Sequence, residues 1–247
     1  MKITSVNNEL IKETAKLLKN KYREETSLFL IEGEKGVREA LEAGIKIQNI
    51  FVLENYDKFK DQNVIEVTEA VMAKISDAKS APKVVAVANM IKHDKEEFRN
   101  FKKVVLLEDI KDAGNLGTIL RTACAFNIDG LVLYGDTVDL YNPKTVRSAV
   151  GNLWKIPVIS LKEFNELEKI FNKFERVATL PKSEKTINLE NYTPAEKVLI
   201  MFGSEANGLS EKLKNFATEN LTIEMSSDVE SLNLSVSAVI IMYKLRN

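Results

Sequence analysis

Cysteine and histidine are nearly missing from this sequence, which has one of each in 247 residues. A lone Cys124 excludes a disulfide within the chain, and one Cys with one His is too few for a Cys/His zinc site, so no metal is expected. A Ser-His-Asp triad would need His93 as its base. His93 sits in the charged run Lys92-His93-Asp94-Lys95-Glu96-Glu97, where an exposed linker position is the expectation. No run approaches the ~18 apolar residues of a spanning helix, so no membrane partner is expected. The first residues lack the apolar stretch of a signal peptide, which points to a cytoplasmic protein. Net charge is also missing: 35 Lys and Arg face 36 Asp and Glu, leaving −1. A nucleic-acid partner would have to be met by local patches rather than by a global field. Apolar residues make up 45% of the chain, enough for a sizeable core and too many for disorder.

Charge is uneven at the start. Residues 1–23 hold Lys2, Lys12, Lys16, Lys19, Lys21 and Arg23 against Glu9 and Glu13. The pattern predicts one helix over about residues 7–20, read either as a solvated face or as an RNA-phosphate contact. Strands at Leu28–Ile31, Ile50–Leu53, Val64–Val67 and Val84–Ala88 alternate with helices Glu34–Ala43 and Glu69–Ile75, an α/β unit ending near residue 91. A second alternation starts at Val104–Leu107, a continuous apolar run of the kind buried on both faces of a parallel sheet. Strands follow at Leu131–Tyr134, Pro157–Ser160, Arg176–Leu180, Val198–Phe202 and Leu221–Met225, with a closing helix from about residue 233. Seven of the ten glycines lie beyond residue 113, so the second unit holds most of the tight turns and close approaches.

Three polar segments follow strand ends, where open α/β sheets gather ligands. The first is Asp112-Ala113-Gly114-Asn115-Leu116-Gly117-Thr118-Ile119-Leu120-Arg121. Leu116, Ile119, Leu120 and Ala123 form its buried stripe, Asp112 or Asn115 is its cap, and Gly117 with Arg121 marks another side where a substrate backbone can pass closely. The second is Phe202-Gly203-Ser204-Glu205-Ala206-Asn207-Gly208-Leu209-Ser210, either a polar ligand loop or a plain strand-to-helix turn. The third runs from Ile223 through Met225 to Ser231-Leu232-Asn233-Leu234-Ser235, with Ser231 and Asn233 at a helix start. The last helix is apolar on nearly every side, which calls for the sheet on one face and another subunit on the other.

In order and spacing the three segments resemble the motifs of the SpoU/TrmH family, the RNA 2′-O-ribose methyltransferases of the SPOUT class. Asn115-x-Gly117-x-x-x-Arg121 matches the first motif, Phe202-Gly203-Ser204-Glu205 with Gly208-Leu209-Ser210 the second, and Ile223-x-Met225 with Ser231-Leu232-Asn233-Leu234-Ser235 the third. Pro143-Lys144 with Arg147 and Gly151 resembles a further family segment. Lys21-Tyr22-Arg23, Phe29-Leu30-Ile31-Glu32-Gly33 and Val37-x-Glu39-Ala40 resemble its substrate-binding domain. Ala113 and Glu224 stand where the family usually has Pro.

The resemblance implies a small ribosomal-protein-like α/β domain (1–92), a linker (93–102) and a parallel-sheet SPOUT domain (103–247) with a deep trefoil knot. It implies S-adenosylmethionine as cofactor, large-subunit ribosomal RNA as substrate and a homodimer through the C-terminal helix. A tRNA substrate, or a non-catalytic RNA-binding assembly factor, is the alternative. Asn115, Arg121, Glu205, Ser231 and Asn233 are the implied catalytic set. Gly203, Ile223 and Leu232, then Leu180 and Met225, are the implied cofactor contacts. Lys12, Lys16, Lys19, Lys21, Arg23 and Arg147 are the expected RNA contacts. A guanidinium stays protonated, so Arg121 is expected to orient phosphate and stabilise a developing alkoxide, with Glu205 fixing either Arg121 or RNA.

Overall fold

The apolar runs close into two sheets in the computed structural model, which describes residues 1–59, 62–226, 228–229 and 231–246. Two units result, one of Met1–Ile91 with Asp139–Lys155 and one of Lys92–Val138 with Ile156–Asn247. Ser227 and Glu230, inside the third polar segment, fall outside the described residues.

The first unit begins with β1 (Lys2–Ile3), α1 (Glu9–Lys16), α2 (Asn20–Thr26), β2 (Leu28–Glu32), α3 (Glu34–Glu42), β3 (Ile47–Leu53), β4 (Val64–Val67), α4 (Glu69–Lys74) and β5 (Val84–Asn89). Its sheet has the order β1-β4-β3-β5-β2, with β3 parallel to β4 and antiparallel to β5. The single basic helix expected over about residues 7–20 is two helices. Arg23 is buried, and its Nη1 donates to the Leu17 carbonyl at 2.7 Å, an oxygen that a continuing helix would use. Lys19 is extended there, at φ −104° and ψ 135°.

The second unit holds β6 (Lys103–Glu108), α5 (Ala113–Ala125) and β7 (Gly130–Tyr134); α6 (Pro143–Ala149) intervenes and belongs to the first unit. It continues with β8 (Val158–Leu161), α7 (Phe164–Phe171), β9 (Glu175–Thr179), β10 (Ile187–Asn188), β11 (Val198–Phe202), α8 (Glu211–Phe216), β12 (Glu219–Thr222) and α9 (Leu234–Leu245). The sheet order is β10-β12-β9-β11-β6-β7-β8, and the pairs are parallel. Val104, Leu106, Leu199 and Met201 of its middle strands pack with Leu167, Ile170 and Phe171 of α7. From β6 the chain steps outward through β7 and β8, then resumes on β6's other side. The β6/β11 boundary is therefore the switch point where doubly wound sheets open a crevice. Among the described residues no helix is long and apolar enough to cross a membrane.

Two boundaries differ from the sequence reading. The expected linker carries a 3₁₀ turn, Lys95–Asn100, that buries Phe98 in the second core. Residues 139–155, expected within the C-terminal domain, pack in the first unit instead. The Tyr141 hydroxyl accepts from the Ile91 N–H at 2.8 Å and donates to its carbonyl at 2.9 Å. Arg23 Nε donates to Asp139 Oδ2 at 2.7 Å. Arg147 donates to Glu32 at 2.6 Å and to Asp77 at 2.9 Å. Gly151 (φ +71°) has no room for a Cβ, which would overlap the Glu39 carboxylate.

Candidate active site

The switch point is flanked by two loops. Leaving β6, the chain reaches Asp112, whose Oδ1 accepts the Asn115 N–H at 2.8 Å and caps α5. Leu116, Ile119, Leu120 and Ala123 are buried beneath, as their spacing requires. Gly117 is buried too. Ala113 occupies the first helical position, where a proline's fixed φ would also serve.

Leaving β11, the chain folds back on itself. The Gly208 N–H donates to the Ser204 carbonyl at 2.9 Å, and Gly208 takes φ +65°. A Cβ on Gly203 would overlap the backbone of Gly208 and Leu209, so the loop itself demands that glycine. Ser210 ends the loop and caps α8 by accepting the Leu213 N–H on its Oγ at 3.3 Å. Its own N–H donates to Glu108 Oε2 at 2.7 Å.

The third segment completes the arrangement. Asn233 caps α9, its Oδ1 accepting from the Ser235 N–H (2.9 Å), the Ser235 hydroxyl (2.6 Å) and the Val236 N–H (3.4 Å). Its Nδ2 donates to Asn115 Oδ1 at 3.2 Å, and Asn115 Nδ2 donates to Glu205 Oε1 at 2.7 Å. One residue from each segment thus joins a single chain of side-chain hydrogen bonds. Glu205 Oε1 accepts from Asn115. An amide suits the middle position because it donates and accepts at once.

Beside this chain lies an open cleft of about 170 Å³. Leu180 follows β9, Ile223 and Met225 follow β12, Ser231 and Leu232 precede α9, and Ile241 comes from α9; all six line it. Its apolar walls and a few hydroxyls from Thr179, Ser231 and Ser237 suit an apolar ring with polar edges. Gly203 is not among the described lining residues. Glu224, between the lining residues Ile223 and Met225, accepts from Lys182 Nζ and Asn188 Nδ2 at 2.6 Å each. The hydrogen bond and charge of Lys182 hold its carboxyl below the usual range. Ile241, Thr179 and Ser237 escaped the sequence reading because they lie in a strand end and a helix that read as core.

Arg121 stands apart from the chain of hydrogen bonds. It lies six residues beyond Asn115 on α5, about 9 Å along the axis. It is exposed, with no hydrogen-bond or ion-pair partner among the described residues. The expected RNA contacts divide. Lys12, Lys19 and Lys21 are exposed and Lys16 is half-buried; Lys12, Lys16 and Lys21 pair with Glu9, Glu13 and Glu25 at their own helix surface. Arg23 is 2% exposed and bound to Asp139 and Leu17, which makes it a structural residue and not an RNA contact. Arg147 is committed to Glu32 and Asp77. Among the described residues no three His, Cys, Asp or Glu are placed to hold a metal ion.

Comparison with known proteins bears on this geometry. Residues 102–243 match the SpoU rRNA Methylase family, and residues 8–86 match the MRM3-like substrate binding domain. The 23S rRNA (guanosine(2553)-2′-O)-methyltransferase RlmP of Bacillus subtilis (strain 168) is 31% identical over 257 residues, covering 99% of this chain and 98% of that protein. The crystal structure of an AdoMet-bound rRNA methyltransferase from Sinorhizobium meliloti aligns with a TM-score of 0.88 at 26% identity, covering 100% of this chain and 97% of that one. The SpoU methyltransferase AviRb from Streptomyces viridochromogenes, solved with AdoMet, shares the fold at a TM-score of 0.86 and 22% identity, covering 97% of each chain. With the family match spanning more than half its length, the chain belongs to the SpoU rRNA methylase family.

Proposed function

We propose that this protein transfers a methyl group from S-adenosylmethionine to a ribose 2′-hydroxyl of 23S ribosomal RNA. The observation that carries the reading is the Glu205–Asn115–Asn233 chain standing beside the cleft whose rim Ser231 shares. The cleft fits the cofactor: Leu180, Ile223, Met225 and Leu232 offer apolar surface to an adenine, and the backbone of the same strand ends offers hydrogen bonds. Gly203 is assigned as a further main-chain contact. When bound, S-adenosylmethionine supplies a methyl group on a sulfonium sulfur.

The chain's own residues orient the acceptor. Asn233 spends its oxygen on the α9 cap and one N–H on Asn115, leaving its second N–H for the 2′-oxygen. Ser231 adds a hydroxyl at the rim of the cleft. Glu205 keeps the Asn115 amide from rotating. Arg121, always protonated, neutralises the adjacent phosphate and stabilises oxygen charge as the hydroxyl passes its proton to solvent water.

The first unit presents the RNA through Lys12, Lys16, Lys19 and Lys21, a role supported by its match to a substrate binding domain. The second unit carries the family's deep trefoil knot. A second copy covers α9, where Val236, Val239, Ile240 and Tyr243 form an apolar stripe at i, i+3, i+4 and i+7 facing away from the core. Val236 is 45% and Tyr243 53% exposed. The ribosomal substrate places the protein in the cytoplasm.

Labelled S-adenosylmethionine, offered with 23S rRNA or tRNA transcripts, tests the reading. Label is expected in one 23S fragment, at a nucleotide made resistant to alkaline cleavage by its blocked 2′-oxygen. Label in tRNA would correct the substrate, and failure to bind cofactor at millimolar concentration would remove the activity.

A further inference from the structure

We propose that Glu108 is a positioning residue for this site: its carboxylate holds the Ser204–Ser210 loop by the Ser210 N–H, so that Glu205 meets Asn115. The proposal rests on the methyl-transfer reading for its consequence, though not for its geometry.

Glu108 ends β6 after four apolar residues, Val104–Leu107, and is itself only 4% exposed. An apolar residue would continue that run without desolvating a carboxylate, so a charge here has to be justified by what it binds. Leu107 is in register with Phe202, which brings Glu108 alongside the point where the chain leaves β11. There Oε2 accepts the Ser210 N–H at 2.7 Å.

The loop is consequently tied at two places to one support. Its far end is held by Glu108, and its tip by Asn115, which donates to Glu205. The two ties flank the short β6–α5 connection, Glu108 as the last residue of β6 and Asn115 in the first turn of α5. Between them the Ser204–Gly208 bridge closes the loop into a unit. With the Ser210 tie cut, the loop can turn about the Gly203 end, and Glu205 loses its fixed distance to Asn115. Glu108 lies outside the described cleft lining, so it acts on the loop and not on the cofactor.

Three substitutions separate the roles. Glu108→Leu keeps the size and removes the acceptor. Glu108→Gln keeps an oxygen that can still accept the N–H. Ser210→Pro removes the donor at a residue whose φ of −62° already suits proline, and Ser210→Ala, which loses only the Oγ cap of α8, is its control. Amide exchange across residues 204–210 in the cofactor-free protein is expected to rise about tenfold in Glu108→Leu and Ser210→Pro and to stay near wild type in Glu108→Gln. Calorimetric affinity for S-adenosylmethionine should change less than about twofold, while kcat for transfer falls about tenfold or more. In a Glu205→Ala background, Glu108→Leu should cost nothing further. Unchanged loop exchange in Glu108→Leu, a Gln variant as impaired as Leu, or losses that multiply with Glu205→Ala would each overturn the proposal. A wild-type protein with no transfer activity would instead defeat the functional reading, leaving the exchange comparison to decide whether Glu108 holds the loop.

Discussion

The side-chain amide of Asn233 donates to Asn115 Oδ1 at 3.2 Å, although 118 residues separate the two in the chain. The same Asn233 caps α9 through its oxygen, so two tasks are divided between the two ends of one amide. Substitutions can separate them. Asn233→Asp keeps the capping oxygen and favours the helix N-terminus with its charge, but loses the N–H that faces Asn115. Its melting temperature should hold while methyl transfer falls about tenfold or more. Asn233→Ala loses both and should also lose about 1 kcal/mol of stability. Thermal melts with transfer assays check the pair; an Asp variant with full activity would show that only the cap matters.

Arg121 gives the opposite separation. With no partner among the described residues, its truncation leaves nothing unsatisfied. Arg121→Ala should stay within about 0.5 kcal/mol of wild type in stability and keep its cofactor affinity, yet lose about 100-fold in transfer. Arg121→Lys should not restore it, because a point charge lacks the guanidinium fork. Chemical denaturation, calorimetry and single-turnover kinetics decide; full transfer in Arg121→Ala would remove its role.

How far the sequence reaches follows from what each residue depends on. Val104–Leu107 and Val198–Phe202 were legible because a strand buried on both faces has no polar positions. Cap candidates were legible from local spacing, Asp112 or Asn115 for α5 and Ser231 or Asn233 for α9, and the structure selects Asp112 and Asn233. Asn115 and Glu205 were legible as polar residues at strand ends, but not as each other's partner, since they lie 90 positions apart and only the parallel β6/β11 register brings them together. Glu108 was hidden because a carboxylate ending an apolar run reads as the first exposed residue after a strand. Arg23 misled for a related reason. A basic residue in a basic stretch reads as surface, and its Asp139 partner lies in a segment that sequence order assigns to the other unit.

That reassignment makes a sharp distinction among the basic residues. Removing Arg23 strands Asp139 and the Leu17 carbonyl, so Arg23→Ala should cost about 3–5 kcal/mol. Replacing Lys12, Lys16, Lys19 and Lys21 together by Ala should barely change stability, since their ion pairs are on exposed helix surface. The lysine variant should instead flatten the salt dependence of RNA binding, by about 0.7–0.9 in log–log slope for each phosphate it no longer neutralises. Denaturant melts and filter binding across a salt series measure both. An unchanged slope would take these lysines off the RNA.

Glu34 contributes to the response of the first unit to acid. Its carboxylate accepts from the Tyr56 hydroxyl at 2.5 Å, from Lys58 Nζ at 2.9 and 3.0 Å, and from Arg38 at 3.1 Å. These partners, Tyr56 first, bring its pKa down from 4.5 to about 2. A depressed carboxyl stabilises the fold fully above its unfolded value, and that contribution is lost as pH falls from about 4.5 through about 2. Tyr56 behaves in the opposite sense. Burial, then its bond to Glu34, raises it from 10 to about 12, so its contribution is full below about pH 10 and lost as pH climbs toward 12. Glu34→Gln should therefore make stability less steep in pH across the acid window and bring Tyr56 ionisation to lower pH. Carboxyl NMR should find the Glu34 midpoint near 2, with ultraviolet titration following the tyrosine; an ordinary Glu34 midpoint near 4.5 would show that the Tyr56–Lys58–Arg38 cluster does not form in solution.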